Sequence, residues 1–492
     1  MDRVPPVQSA TEASPGENGP PAGVFDARQV VTDPEVLAGY SEDASSIIGA
    51  PEGLLRPTEP QDVAAALAHA AGEGIPVTPC GLRTSTTGAG LAPRGWTLST
   101  ERMTGLIDLD PVRRTAIVGA GTVLREFKDL VEAEGLFYPP DPTSERECAV
   151  GGTVACDASG ARTYRYGATH RWVRGLEVVF TDGTVRWLRR PEIEKDAAGY
   201  AALRDLVRLF CGSEGTLGVI TKVEVDLLAR PEAFTAGFGF FGDVQQALAF
   251  VDAARREDRL RTGVNPRCLE LLDGLALQIM AAQDSGVAIP ANAGAAIFFE
   301  EEHVHGGEMA VMEAWWALLS SSEGALAEDT VVASNRAEQE ELRLLRHAVP
   351  ATLNDEGRSH REAGGKKIST DWAVPFHYLA PLVAEFDGWI AEAGLDRVAR
   401  YGHVGNGHPH YNLIVKDHQE AARAAAIVDR MCREACRVGG TVTAEHGVGK
   451  VKREYAAYRF TPLHFAAMKG IKKAFDPSGI LAPGNIWHEE AR

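Results

Sequence analysis

The sequence predicts an α+β fold built in more than one unit, and three observations carry that expectation. The chain has 492 residues, too many for one compact core, which implies two or three domains. It is 45% hydrophobic and 24% charged, a globular composition that excludes collagen-like, coiled-coil and wholly disordered chains. Strand-like and helix-like segments alternate without the spacing of parallel βαβ units, which argues against a doubly wound sheet.

Residues 1–32 read as a disordered tail, because residues 1 to 23 are rich in Pro, Gly, Ser and Glu and hold no signal-peptide apolar core. A helix from Pro60 to Ala71 opens at Thr58 and Pro60 and stops at Gly72. Residues 75–79 read as a buried strand entering the loop from Gly81 to Gly90. A helix from Val123 to Glu134 ends at Gly135. Residues 176–180 and 185–188 flank Asp182-Gly183, whose positive φ suits a hairpin. Gly218 to Leu228 alternates as a strand, and Pro231 marks a boundary. Beyond it come a strand over 236–241, a helix capped by Asp243, a strand within 293–302 and a mostly helical stretch from Ser320 to His347. A strand over 409–415 and a helix over 419–437 follow.

Net charge is −18, from 68 acidic and 50 basic residues, so nucleic acid is not an expected partner. The seven cysteines form no CxxC pair, which disfavours a disulfide framework and a Cys-ligated cluster. No apolar run reaches transmembrane length, and the expected location is the cytoplasm.

Neither GxGxxG between strand and helix nor GxxxxGK[ST] occurs, which lowers the case for NAD enzymes and P-loop ATPases. Three small-residue segments occur instead: Gly81 to Gly90, Pro139 to Gly160 and Gly212 to Ile220. Each alone reads as a tight loop. Together they offer main-chain N–H groups for a pyrophosphate. Near the C-terminus, His408, His410 and Asn412 fall on one strand face, with His403 before a Gly-Asn-Gly turn. Glu445 and His446 follow in a glycine-rich segment. A lone strand histidine is usually solvated or hydrogen-bonded, but this cluster suits a divalent metal, Zn²⁺ first, then Mn²⁺ or Fe²⁺.

The segments PPDPTS, VGGTVACDASGARTYRYGATHRWVRGLEVVFTDG and GSEGTLGVITKVEV resemble the flavin-binding domain of the vanillyl-alcohol oxidase and p-cresol methylhydroxylase (PCMH) superfamily. Within it the chain is similar to FAD-dependent D-2-hydroxyacid dehydrogenases, which include D-lactate dehydrogenases and the glycolate oxidase catalytic subunit. The resemblance implies a PCMH-type FAD-binding domain of two α+β subdomains over residues 33–230. It also implies a cap with an antiparallel sheet over 231–455 and a C-terminal segment, 456–492, returning to the FAD domain.

By position, Pro79, Gly81, Thr84 and Ser85 would lie along the pyrophosphate. Pro142, Thr143 and Ser144 would face the flavin, followed by Gly151, Gly152, Ala155, Ser159 and Gly160, with main-chain contacts from Ile220. Leu82 and Arg83 stand where the family usually has glycines, which leaves open a direct contact from Arg83 to phosphate. No histidine occurs between Cys80 and Gly90, so the FAD is expected to be noncovalent.

His403, His410 and Glu445 match the family's metal ligands, His446 its base and Asn412 a substrate contact. Asn406 stands where Asp is common. His408 stands where Asn is common, as an extra ligand or a different substrate contact. Arg346 and Lys366 are the expected anion anchors, with an insertion around His360 to Gly365 leaving Lys366 against Lys367 open. The implied reaction is oxidation of a D-2-hydroxy acid, D-lactate or glycolate-like, to a 2-oxo acid by hydride transfer to flavin N5. No motif identifies the external electron acceptor, and a homodimer stays open. The rival readings are a non-redox enzyme resembling alkyl-dihydroxyacetonephosphate synthase and a catalytically silent flavin-binding subunit.

Overall fold

The computed structural model describes residue 26 and residues 28–45, 47–283, 285–333 and 335–488. Of the tail expected over residues 1–32, residues 1–25 and 27 lie outside the described residues. It does not reach residue 32, because Val30 and Val31 pair with Leu55 and Leu54.

A small sheet orders its strands Val30–Val31, Gly53–Leu55, Trp96–Ser99, Val77–Cys80. Its last three are parallel, joined in part by the helix Pro60–Glu73. One βαβ crossover therefore exists where none was expected. The helix runs past Gly72 to Glu73 and is closed by Gly74 at φ 69°, a left-handed residue that suits glycine. A five-stranded antiparallel sheet follows: Leu106–Asp110, Thr115–Gly119, Val219–Asp226, Val173–Val179, Val185–Arg189. Its hairpin turns at Gly183, φ 79°. The chain after helix Pro462–Phe475 returns to the first sheet, where Val77 and Leu481 form a bridge.

The second half forms a seven-stranded antiparallel sheet. Its order is Val331–Ala333, Ala233–Phe241, Ala295–His303, Pro266–Asp273, Val398–His403, His408–Asp417, Gly364–Ser369. The helix expected across Ser320 to His347 is broken. Helix Glu308–Ser321 ends, Val331–Ala333 pairs with 236–238 at the sheet edge, and Asn335 caps helix Arg336–Ser359. The β-branched pair Val331-Val332 favours that edge strand.

Two apolar cores flank this sheet. Tyr411, Leu413 and Val415 pack with helices Val244–Leu260, Leu379–Glu392 and His418–Arg437. Ile414 and Ala399 pack with Leu345, Val349 and Leu353 of helix Arg336–Ser359. The period-2 alternation of the strand thus sends His408, His410 and Asn412 to the second side.

Candidate active site

Strand register assembles the polar centre. His403 pairs with His408 and Tyr401 with His410. The pairing of Leu271 with Gly402 sets Glu270 beside His403 on the same face. His403 Nδ1 is 2.6 Å from Glu270 Oε1, and its Nε2 is 2.9 Å from Glu445 Oε1. His410 Nδ1 lies 3.0 Å from the Thr370 carbonyl and its Nε2 3.6 Å from Glu445 Oε2. His408 Nδ1 lies 3.8 Å from Glu445 Oε1. His403, His408, His410 and Glu445 therefore present one donor atom each, all within 4.8 Å of one another.

Charge explains the cluster's demands. Glu270 is fully buried, and burial alone would raise its pKa; the Arg346 guanidinium and His403 outweigh this and hold it at about 2. Glu445 is likewise held well below the carboxylate range, against burial, by His403 and His410. Burial disfavours a charged His403, but the two carboxylates push its pKa well above 6.5. Burial and His408 depress His410 to about 4. His403 stands between Glu270 and Glu445, where positive charge is favoured. A divalent cation would fit the donor atoms gathered around Glu445, with the outer nitrogens of His403 and His410 held by Glu270 and the Thr370 carbonyl.

Glu445 and His446 sit in a loop, not a strand, with Gly447 at φ 72° and Gly449 at φ 53°. Asp371 organises that loop. It accepts hydrogen bonds from Thr443 Oγ1 (2.8 Å), Glu445 N (3.3 Å) and His446 N (3.2 Å), and it pairs with Lys452. Its carboxylate is 3.3 Å from His446 Nδ1, which leaves His446 Nε2 as the free nitrogen. His446 is 33% exposed, whereas His403, His408 and His410 are buried. Asp371 and Glu270 are the two site residues that sequence reasoning misses. Neither stands in a glycine-rich or histidine-rich motif; the only signal was Asp371's place beside Trp372 in the anion-anchor segment.

The three small-residue segments converge beside this centre. A Cβ on Gly81 would lie 3.2 Å from Ala149 Cβ, and one on Gly215 would lie 3.2 Å from Pro79. Gly151 abuts Ala120, and Gly160 packs so closely on the Asp141 carbonyl that a Cβ would reach 2.2 Å. Gly152 opens onto free space. Asn485, from the C-terminal segment, donates to the carbonyls of Ala89 and Glu214, each at 2.9 Å. Ser85 Oγ accepts from the N–H groups of Thr87 and Ala89, while Thr84 is partly exposed. Pro142 is buried, Thr143 exposed and Ser144 half-buried at the same cleft. Ala155 holds the loop through its carbonyl, which accepts from Glu214 N at 2.9 Å. Ile220 lies farther back, its side chain in the core of the five-stranded sheet. The cradle of close-packed glycines and exposed main chain fits an extended dinucleotide.

Several residues sit differently from expectation. Ser159 turns its hydroxyl to Glu445 Oε1 at 3.3 Å, linking the flavin segment to the acidic loop. Glu214 does the same through its carboxylate, which accepts from Val448 N and Gly449 N, both at 2.7 Å. Arg83 takes φ 60°, and its guanidinium stacks 4.1 Å over Tyr40 and lies 3.6 Å from Glu101, away from a phosphate role. Arg346 reaches the centre but is paired with Glu270. Asn412 is buried on the histidine face, its Oδ1 accepting from Ser369 Oγ at 2.9 Å. Lys366 does not join them. It pairs with Val415, so strand alternation points it to the opposite face, where it is exposed; Lys367, paired with Ile414, shares the face of Asn412.

Comparison with known proteins gives the family. Residues 230–486 match "FAD linked oxidases, C-terminal domain", over half of the chain, and residues 51–189 match "FAD binding domain". The chain belongs to the FAD-linked oxidase family. This FAD-linked oxidase is 29% identical over 464 residues to the glycolate oxidase subunit GlcD of Bacillus subtilis, covering 92% of this chain and 93% of the relative. It is 28% identical over 477 residues to a D-lactate dehydrogenase of Anaerostipes hadrus, covering 94% and 95%. It shares the fold of p-cresol methylhydroxylase, with TM-score 0.72 at 14% identity and 95% coverage of both chains. It is thus an FAD-dependent oxidoreductase of mixed α and β structure. Among the described residues, no helix is long and apolar enough to cross a membrane.

Proposed function

We propose that this oxidase converts a D-2-hydroxy acid, D-lactate or glycolate-like, to the corresponding 2-oxo acid. The observation that carries the reading is the cluster of His403, His410 and Glu445 beside a half-buried His446. FAD, held noncovalently by the three small-residue segments, supplies the hydride acceptor, and a divalent cation held by His403, His410 and Glu445 supplies positive charge that acidifies a hydroxyl. The chain's own residues do the rest. His446 takes the hydroxyl proton at Nε2, because Asp371 occupies its Nδ1 side at 3.3 Å. Asn412 and Arg346 line the histidine face, where the amide offers neutral polar contacts and the guanidinium a positive field for the acid's carboxylate. Glu270 fixes both Arg346 and His403, so substrate anchor and cation ligand share one buried support.

Asp371, Glu214 and Ser159 position the loop from Thr443 to Gly449 against the flavin segments. That arrangement would bring the hydroxyl carbon, the base and the hydride acceptor to one cleft. The site's cation and flavin segments touch through Ser159 and Cys156, whose Sγ lies 3.3 Å from the Glu445 carbonyl. Removing the cation is therefore expected to loosen this loop as well as stop turnover.

The test is an anaerobic panel of D- and L-2-hydroxy acids mixed with the purified protein, followed by flavin absorbance. One D-hydroxy acid should bleach the flavin, and chelator-treated protein should not be bleached by it. An intact flavin spectrum across the whole panel, with metal and FAD both present at stoichiometric level, would remove the hydroxy-acid reading.

A further inference from the structure

We propose that His408 is a third imidazole ligand, so that this chain holds its cation with His403, His408, His410 and Glu445. The inference rests on the metal reading above and extends it. Two roles stand open for His408, a ligand and a substrate contact, and the direction of its ring decides between them. His408 is buried and aims Nδ1 at Glu445 Oε1, 3.8 Å away, the same carboxylate that His403 and His410 face.

Donor spacing supports the assignment. Ligands about 2.1 Å from a shared cation stand roughly 3.0–3.5 Å from each other. The three imidazole nitrogens that face Glu445 lie 2.9, 3.8 and 3.6 Å from its carboxylate oxygens, for His403, His408 and His410. The spread is centred on that spacing. His408 and His410 stand with ring centroids 4.4 Å apart, and one donor atom of each lies within 4.8 Å of the other and of a Glu445 oxygen.

The outer nitrogens give a second, independent observation. His403 Nδ1 meets Glu270, His410 Nδ1 meets the Thr370 carbonyl, and His408 Nε2 stands 3.2 Å from Asp371 Oδ1. That last contact is close enough for charge pairing but short of an aligned hydrogen bond, and His408 Nε2 has no other partner. A ligating imidazole typically hands its other nitrogen to a carboxylate or carbonyl; His403 and His410 do so, and His408 Nε2 faces the Asp371 carboxylate. His403 and His410 then bind through Nε2 and His408 through Nδ1. Asp371 thereby serves two histidines, His408 as ligand and His446 as base.

A third imidazole changes what the centre prefers. Nitrogen-rich sets favour Zn²⁺, Fe²⁺, Co²⁺ and Ni²⁺ over Mn²⁺ and Mg²⁺, which prefer oxygen. The experiment uses the full-length, FAD-loaded protein stripped of metal by chelator. Zn²⁺ and Co²⁺ are titrated against a chromophoric competitor, and the d–d absorption of the Co²⁺ form is recorded. His408→Asn should weaken Zn²⁺ and Co²⁺ binding by about tenfold to a hundredfold or more, change the Co²⁺ spectrum and shift relative preference toward Mn²⁺. Pulsed EPR of the unmodified protein loaded with Cu²⁺ should count three imidazoles, which tests the proposal without any variant. Two imidazoles, or a His408→Asn protein that binds Zn²⁺ within threefold of the original with an unchanged Co²⁺ spectrum, would overturn it while His403→Ala still abolished binding. If His403→Ala and Glu445→Gln also bound metal normally, the metal reading itself would fall, and this proposal with it.

Discussion

Replacing Asp371 with Asn removes one charge and one acceptor from the residue on which the catalytic loop hangs. Oδ2 takes the Thr443 hydroxyl, the His446 N–H and Lys452; Oδ1 takes the Glu445 N–H and stands against His408. An Asn amide keeps one oxygen. Its least costly placement puts that oxygen at the Oδ2 position and the NH₂ at Oδ1, facing the Glu445 N–H donor. One buried backbone donor then loses its partner, which costs about 1–3 kcal/mol. Lys452 loses its buried counter-charge, and breaking such a pair costs about 3–5 kcal/mol. The two terms share one loop and do not add, so roughly 3–5 kcal/mol of stability is expected to be lost. The kinetic effect runs through His446. The amide oxygen at Oδ2 still faces His446 Nδ1, but without the carboxylate charge the imidazolium formed on taking the proton loses its stabilisation, which puts the general-base contribution of about 10²- to 10⁴-fold at risk. Asp371→Asn should therefore fall in thermal midpoint and show flavin reduction slowed by that order at saturating hydroxy acid. Stopped-flow absorbance reads the rate and FAD content checks that cofactor is retained. Flavin reduction within threefold of the unmodified protein, with metal and FAD bound, would refute the role given to Asp371.

His446→Ala and His446→Gln should each retain metal and FAD but reduce flavin roughly 10²- to 10⁴-fold more slowly; near-normal reduction in both would place the base elsewhere. Acid precipitation should release free FAD into the supernatant, because no histidine stands between Cys80 and Gly90; yellow colour left in the pellet would contradict this. Lys366→Ala should leave substrate affinity within about twofold, since its side chain faces away from Asn412, whereas Lys367→Ala tests the lysine on the site's own face; a large effect at Lys366 alone would reverse that assignment. The buried Glu145 and Glu300 carboxyls are held at about 2, from 4.5, as Lys128 and Arg162 outweigh burial. A depressed carboxylate contributes stability above its unfolded pKa and loses it as pH falls through the folded one, so roughly 3 kcal/mol each should disappear between pH 4.5 and 2. Asp141, raised to about 6 by burial, works in the opposite sense between pH 6 and 4. Thermal midpoints measured against pH should show Glu300→Gln flattened in the acid range; a curve parallel to the unmodified protein from pH 4.5 to 2 would exclude this.

Local patterns made much of the protein legible. The alternation from His408 to Leu413 gave the histidine face, since side-chain direction in a strand depends on parity alone. Asp182-Gly183 gave the hairpin, and Gly447 with Gly449 gave a loop able to turn Glu445 and His446 to one site, because positive φ is a property of single residues. Three small-residue segments showed main chain able to approach a pyrophosphate closely, and FAD itself was implied by their resemblance to a flavin-binding family. What depends on the path of the chain was not legible. Glu270 lies 133 residues from His403, and the two meet only because strands Pro266–Asp273 and Val398–His403 pair in one register. The same kind of register fact separates Lys366 from Lys367: two adjacent lysines are equivalent in sequence until their strand is paired with His408–Asp417. The small edge strand at Val331–Ala333 likewise exists through its partner, not through its own three residues. Asp371 gathers Thr443, His446 and Lys452 across more than 70 residues, and no spacing rule connects them. The sequence by itself determined which donors this protein carries and which way each strand presents them. The tertiary structure alone decided which charges meet, because ion pairs across a sheet are set by strand order and register, and those are fixed by the packing of both cores.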